Sequence, residues 1–343
     1  MPEFGFVVIG RNEGHRFLRC LKSLVHCGSP IVYVDSGSTD GSPEAAFDAG
    51  ADVINLNVSM GFNMSRARNA GWRRLLEIHP SLEFVQFLDG DCELDPEWAS
   101  CALEFLGNNP EVAVVCGRRL ERRPEQTIYN RLIDIEWNTP VGPARSCGGD
   151  SMMRIHVLRT AGGFDEHLIA GEEPELCFRI RKAGWGIQRI AGRMSVHDAD
   201  IRQFGQWWMR HVRAGYGTLF VASRQLADGS DDQGEILFLD QVRSPRRWIF
   251  GSLILFITVA VILSIALGSF RGVLLAAGIV FLAWAIQSLR IGILQRKRAG
   301  SLCAGLLYGI SLMIAKWAIL QGQIRFFRDQ IKKQNARIIE YKK

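Results

Sequence analysis

The stretch Phe84-Val85-Gln86-Phe87-Leu88-Asp89-Gly90-Asp91 decides the fold. Its apolar run is too short for a helix and reads as a buried strand, one that leads straight into two carboxylates separated by a glycine. The same rhythm recurs upstream. Residues 4–9 form an unbroken apolar run bounded by Gly10. Residues 31–34 form a second, closed by Asp35-Ser36-Gly37-Ser38-Thr39-Asp40-Gly41, and residues 52–56 a third. Helical spacing fills the gaps at about 13–25, 43–49 and 63–78, the last with Arg66, Arg68, Arg73 and Arg74 on its polar faces. Strands alternating with helices predict an α/β fold, a mostly parallel sheet covered on both faces. Ligands of such sheets sit beyond the carboxyl ends of the strands, so the loops after the first, second and fourth strands should share one crevice.

Downstream the order is less regular. Residues 112–116 read as a strand, 118–145 are polar without clear period, and 152–161 and 173–183 read as helices. Residues 204–216 carry Phe204, Trp207, Trp208, His211 and Val212 at helical spacing, and 227–235 form a Gly/Asp-rich linker. The expected division is 1–110 and 111–235 as two halves of one α/β domain, then a membrane anchor over 236–343.

The chain has 343 residues, 48% of them hydrophobic, with the apolar excess concentrated after residue 248. Segments 249–267 and 273–289 each approach the roughly 20 residues needed to cross the hydrocarbon. Segment 302–320 is diluted by Gly and Ser and interrupted by Lys316. Arg243, Arg246 and Arg247 precede the first span, and Arg290, Arg296, Lys297 and Arg298 follow the second; only Arg271 lies between them. Positive flanks belong on the cytoplasmic side, which puts the α/β domain there, at the inner membrane. Lys332, Lys333, Arg337, Lys342 and Lys343 make the tail basic too. The preferred arrangement is therefore two spans, with 302–340 an amphipathic helix in the interface, Lys316 snorkelling to the headgroups; a third span is the alternative.

A net charge of +6 suits anionic lipids or phosphate ligands. The basic residues flank membrane segments instead of forming an aromatic-interleaved patch, which excludes a nucleic-acid module. Eight cysteines follow no zinc or disulfide spacing and indicate a reducing compartment. Residues 1–10 have no basic stretch before the first strand, so no signal peptide is expected.

Asp89 and Asp91 carry the chemistry. Two carboxylates one residue apart can face a single Mg²⁺ or Mn²⁺, which brings substrate phosphates into its remaining positions. A solvated acidic turn is the alternative for such a pair taken alone. Its context is more specific. Val7-Val8-Ile9-Gly10-Arg11-Asn12-Glu13, Val34-Asp35-Ser36-Gly37-Ser38-Thr39-Asp40-Gly41-Ser42, Ala67-Arg68-Asn69-Ala70-Gly71 and Asp89-Gly90-Asp91 appear in order. Gly162-Gly163-Phe164-Asp165-Glu166 and Gly171-Glu172-Glu173-Pro174-Glu175-Leu176-Cys177-Phe178-Arg179 follow. Together, over residues 4–220, they resemble the family 2 glycosyltransferases of Rossmann-like GT-A fold.

The resemblance implies roles. Asp35 would receive the nucleotide base; Asp89 would hold the ribose or the metal, and Asp91 the metal. Arg68 would reach the base or the diphosphate, or else lie on the helix surface, and Glu13 would be donor-proximal. Gly148-Gly149-Asp150 matches a loop near donor and acceptor, with Asp150 donor-binding. Glu172-Glu173-Pro174-Glu175 matches the family's E-D-x-D element and gives the general base to Glu173, with Glu172 as the alternative. Glutamate replaces the commoner aspartate there, so the backbone must sit one methylene further back, and Pro174 stiffens the turn. His197 would complete the metal shell, a hydrogen-bonded loop histidine being the structural alternative. Gln206-Trp207-Trp208-Met209-Arg210 is a reordered form of the Q-x-x-R-W element of processive synthases; Trp207 and Trp208 would stack on the acceptor, or pack an amphipathic helix.

The expected activity is inverting transfer of a sugar from a nucleoside-diphosphate sugar, UDP-sugars favoured, to a hydroxyl of a lipid-linked or glycan acceptor in cell-surface polysaccharide or glycolipid synthesis. A processive synthase subunit and an inactive glycan-binding scaffold at the membrane are the alternatives. Nucleotidyl transfer would want a denser Gly-rich first loop than Gly10-Arg11-Asn12-Glu13-Gly14.

Overall fold

The computed structural model describes residues 3–57, 59, 61–227, 238–332 and 339–340. They divide into a unit up to Arg202 and a second unit from Gln203 onward. The expected linker 227–235, apart from residue 227, and the tail residues Lys333, Arg337, Lys342 and Lys343 lie outside the described residues.

The first unit begins as read: β1 (Phe4–Gly10), α1 (His15–Val25), β2 (Ile31–Asp35), α2 (Ser42–Asp48), β3 (Asp52–Asn55), α3 (Met64–Ile78) and β4 (Phe84–Asp89). It continues through β5 (Cys92–Leu94), α4 (Trp98–Asn108), β6 (Val112–Glu121), α5 (Ile128–Trp137), β7 (Gly142–Pro143), β8 (Ser151–Arg154), α6 (Ile155–Thr160), α7 (Glu172–Lys182) and β9 (Gly186–His197). One nine-stranded sheet has the order β3-β2-β1-β4-β8-β6-β9-β5, with β7 beside β9. The first four strands are parallel, whereas β8 runs antiparallel to both β4 and β6. The central strands are apolar on both faces, as burial on both faces requires: Phe6, Val7, Val8, Val32, Val34 and Val85 are fully buried.

α3 docks tightly on this sheet. A Cβ placed on Gly71 would lie 2.3 Å from Val7 Cγ1 and 3.1 Å from Val34 Cγ2, so only glycine permits this approach. Asn63 caps the helix, accepting from the Ser65 and Arg66 amides.

Two expectations change. Residues 152–154, expected to be helical, belong to β8, where Met152 and Met153 are wedged between β4 and β6 with at most 1% exposure. Tertiary pairing overrides helical propensity there. The stretch 118–145 contains the end of β6, then α5 and β7.

The second unit comprises α8 (Phe204–Ala227), α9 (Leu239–Leu267), α10 (Arg271–Ala299) and α11 (Leu302–Ile331). Among the described residues, α9, α10 and α11 are long and apolar enough to cross a membrane. The stretch expected as an interfacial helix or a third span forms one unbroken helix over Leu302–Ile331. Lys316 Nζ donates to Ser244 Oγ of α9 at 2.8 Å, a partner that the sequence pattern does not show. α10 and α11 approach closely through small residues, as helices do in lipid. A Cβ on Gly309 would fall 2.2 Å from the Ser288 carbonyl oxygen. Trp207 is buried against His211, ring centroids 4.3 Å apart, and Trp208 donates from Nε1 to Gln321 Oε1 at 2.7 Å. Both rings are packed within this helical unit.

Candidate functional site

Register brings the strand ends level. Gly10 of β1 lies opposite Asp35 of β2, and Ile9 opposite Asp89 of β4. Asp35 is 2% exposed. Its Oδ2 accepts from the Gly37 and Ser38 amides at 2.7 and 2.8 Å, and its Oδ1 from the Tyr33 hydroxyl at 2.9 Å. Asn12 and Asp40 tie the first two loops together, Thr39 N–H donating to Asn12 Oδ1 at 2.7 Å and Gly14 N–H to Asp40 Oδ2 at 2.8 Å. Glu13 stands on the same edge, half-buried and paired with Arg16 at 2.9 Å.

A second row crosses the far half of the sheet. Glu121 of β6 lies opposite His197 of β9, and His197 opposite Cys92 of β5, so three adjacent strands present these residues side by side. His197 Nε2 is 3.2 Å from Asp91 Oδ2, and its Nδ1 is 3.5 Å from Glu121 Oε2. The Trp137 ring meets the imidazole edge to face at 4.5 Å. Asp91, Cys92 and His197 are all buried and offer donor atoms within 4.8 Å of one another. Asp91 and His197 supply the carboxylate and imidazole donors of this group, and Cys92 a softer sulfur. Such O,N donors suit Mn²⁺ or Mg²⁺, and a carboxylate behind the imidazole fixes its tautomer and aim.

Between the rows lies a buried ion cluster. Arg68 projects from α3 with 2% exposure, one guanidinium nitrogen 2.8 Å from Asp89 Oδ1 and another 2.9 Å from Glu172 Oε1. Arg119 of β6 pairs with Asp150 at 2.8 Å and faces Asp89 at 3.7 Å. Burial alone would lower both arginines' pKa values, but the facing carboxylates, Asp89 and Glu172 for Arg68 and Asp150 for Arg119, raise them instead. Asp150, fully buried, accepts from the Asp89 amide at 3.1 Å and the Ser195 hydroxyl at 2.6 Å. Gly149 presses against this cluster: a Cβ there would lie 2.6 Å from Asp89 Oδ2.

Glu172 and Glu173 open α7, where acidic residues complement the helix dipole. Glu173 turns to the other side of the 147–150 loop. Its Oε1 accepts from the Cys147 amide and, at 3.0 Å, from the Cys177 thiol. Burial raises its pKa above the ordinary carboxylate range.

The structure thus gathers Asp35, Glu13, Arg68, Asp89, Asp91, Asp150, Glu173 and His197 in the first unit, while Trp207 and Trp208 belong to the second. Arg68 is no surface arginine. Asp89 is held by arginines and is not part of the Asp91–Cys92–His197 group. Sequence reading missed Arg119 and Glu121. The signal was available: residues two apart in a strand share a face, and both continue β6 beyond its apolar run.

Residues 6–157 match the sequence model of Glycosyl transferase family 2. The O-antigen chain rhamnosyltransferase WbaN of Salmonella anatum is 25% identical over 209 residues, covering 56% of this chain and 64% of the relative. The pre-mycofactocin glycosyltransferase of Mycobacterium tuberculosis is 28% identical over 225 residues, covering 62% and 45%. The chain thus spans less than two thirds of either relative's length. Among solved structures, the mannosyltransferase PcManGT from Pyrobaculum calidifontis, in complex with GDP-Man and Mn²⁺, superposes over 96% of this chain and 88% of its own. That match has a TM-score of 0.60 at 17% identity. Strand order, strand-end carboxylates and this likeness define a protein of the GT-A fold followed by apolar helices. Within that class, its residues 6–157 are similar to glycosyl transferase family 2.

Proposed function

We propose that the protein is an inverting, metal-dependent glycosyltransferase that moves a sugar from a nucleoside-diphosphate sugar to a hydroxyl of a lipid-linked or glycan acceptor. The reaction would take place at the cytoplasmic face of the membrane that α9–α11 enter, in cell-surface polysaccharide or glycolipid synthesis. One observation carries the reading: Asp91 and His197 converge at the ends of neighbouring strands, 3.2 Å apart, with Glu121 behind the imidazole. When bound there, Mn²⁺ or Mg²⁺ supplies the positive charge that offsets a departing diphosphate.

The chain's own residues do the rest. The Asp35 loop receives the base, and the Arg68–Asp89 pair at the end of β4 stands beside the ribose and diphosphate. Asp150 and Arg119 hold Asp89 in place from beneath. Glu173 takes the proton from the acceptor hydroxyl as that oxygen attacks the anomeric carbon, on the face opposite the leaving diphosphate. Its raised pKa supports the role, because a base is most effective when its pKa approaches working pH. The basic flanks of α9 and α10 support the cytoplasmic orientation. In the test, purified protein is incubated with UDP-, GDP- and dTDP-sugars and Mn²⁺, and nucleoside-diphosphate release is followed. Release should stop with a chelator and in Asp91→Asn. Full turnover in either case overturns the proposal.

A further inference from the structure

Around Glu173 lies a second donor cluster of different chemistry. Cys147 Sγ and Cys177 Sγ are 3.5 Å apart, and Cys177 Sγ is 3.0 Å from Glu173 Oε1. All three residues are buried, and their donor atoms lie within 4.8 Å of one another. Glu173 and Cys177 are one turn apart on α7 and so share a face, as i and i+4 residues do. Cys147 approaches from the loop before β8, and is followed by Gly148 at φ +81°, where an added Cβ would meet nothing within 4 Å.

We propose that Cys147, Cys177 and Glu173 form a binding site for a thiophilic divalent cation of the Zn²⁺ class, separate from the Asp91–His197 site. Two sulfurs bound to one tetrahedral ion at about 2.3 Å each lie about 3.8 Å apart, close to the separation already present. Two thiolates and a carboxylate select Zn²⁺, Cd²⁺ or Co²⁺ over Mg²⁺ or Mn²⁺, whose preferred ligands are the harder oxygen and imidazole donors of the other site. Binding displaces the two thiol protons to solvent and fills three positions of the ion's shell, leaving a fourth for water. The ion also takes Glu173 Oε1, so occupancy removes the base and stops transfer. That last consequence rests on the proposed function; the site itself does not.

The test uses the full chain in detergent, reduced with a phosphine and stripped of metal, with the exposed Cys101 and Cys303 replaced by serine. Co²⁺ or Cd²⁺ is titrated in, and the sulfur-to-metal charge-transfer absorption is read. It should saturate at one ion per chain, persist in His197→Ala, and vanish in Cys147→Ser and in Cys177→Ser, with circular dichroism verifying the fold of each variant. Absence of the band, its survival in both serine variants, or a Cys147–Cys177 disulfide that excludes metal overturns the site. Transfer is then measured with excess Mn²⁺ and rising Zn²⁺, and should fall in step with occupancy and resist Zn²⁺ in Cys177→Ser. A saturating band with unchanged transfer leaves the site standing and removes Glu173 from the role of base.

Discussion

Replacing Arg68 with methionine tests whether the buried ion cluster holds the crevice together. The guanidinium is 2% exposed and pairs with Asp89 at 2.8 Å and with Glu172 at 2.9 Å. Methionine keeps much of the volume and removes the charge. The Glu172 side chain, 8% exposed, is then left almost without water, whereas Asp89 is 27% exposed and keeps Arg119 at 3.7 Å. Removing one partner of a buried pair costs about 3–5 kcal/mol, because the remaining charge stays buried and uncompensated. For a unit of this size that lowers the melting midpoint by about 10 °C. Most of the loss is assigned to Glu172, so Arg68→Met combined with Glu172→Gln should recover at least half of it, a coupling that a double-mutant cycle reads directly. The assay is thermal unfolding of the full chain in detergent, all four variants at one pH and ionic strength. If Arg68→Met melts with the wild type, or the double variant is no better than the single, the cluster does not tie α3, β4 and α7 together.

Glu173→Gln should reduce transfer by about 100- to 10,000-fold, the usual worth of a general base, and initial rates with saturating donor decide it. Because burial raises the Glu173 pKa, the carboxylate form appears only as pH rises past its raised value. The acid limb of the rate profile should therefore lie above the ordinary glutamate value of about 4.3. The stability sign follows: an acid with a raised folded-state pKa contributes fully at pH below its unfolded value and loses that contribution as pH rises. Glu173→Gln should accordingly melt higher than wild type at neutral pH, the gap closing toward about pH 4. Glu121→Gln should weaken Mn²⁺ binding by about 10- to 100-fold by releasing His197, read by calorimetry with the fold intact; unchanged affinity removes Glu121 from the site. Gly71→Ala should lower stability, since overpacking costs about 1–3 kcal/mol. The opposing gain in helix propensity is about 1 kcal/mol. The comparison is Gly107→Ala on α4, where a Cβ meets nothing within 4 Å and the melting midpoint should rise.

The first half of the sheet was legible because its signals are local. Apolar runs such as 4–9 and 84–88 are bounded by Gly10 and by Asp89-Gly90-Asp91, and Asn63 marks the start of α3. The second half depends on partners distant in sequence. Arg118 and Arg119 resemble a loop until Asp134 of α5 and Asp150, in the loop before β8, neutralise them. Met152 and Met153 are strand residues only because β4 and β6 enclose them. Within the site, Asp91 and His197 were recognisable as ligand types, yet their adjacency comes from β5 pairing with β9, a register no local pattern announces. Asp150 was expected to touch the donor; it is instead fully buried under Asp89, because its loop turns inward at Gly149.

The charge balance of the crevice supplies the physical reason to expect a divalent cation. Asp89, Asp150 and Glu172 are countered by Arg68 and Arg119, and the Asp35 carboxylate is satisfied by amide and hydroxyl donors. Asp91 and Glu121 flank the His197 imidazole from two sides, so two carboxylates meet one imidazole at that end. On the proposed function, a nucleoside diphosphate would bring further negative charge to the same strand ends, and in a partly buried crevice like charges repel more strongly than in water. Two arginines already committed to three carboxylates cannot absorb it. On the proposed function, a cation held by Asp91 and His197 would offset the charge of the diphosphate. It also explains why the chain places an imidazole, backed by a carboxylate, at the end of β9 instead of a third arginine: a guanidinium there would neutralise Asp91 permanently, whereas an imidazole leaves its oxygens available to a metal.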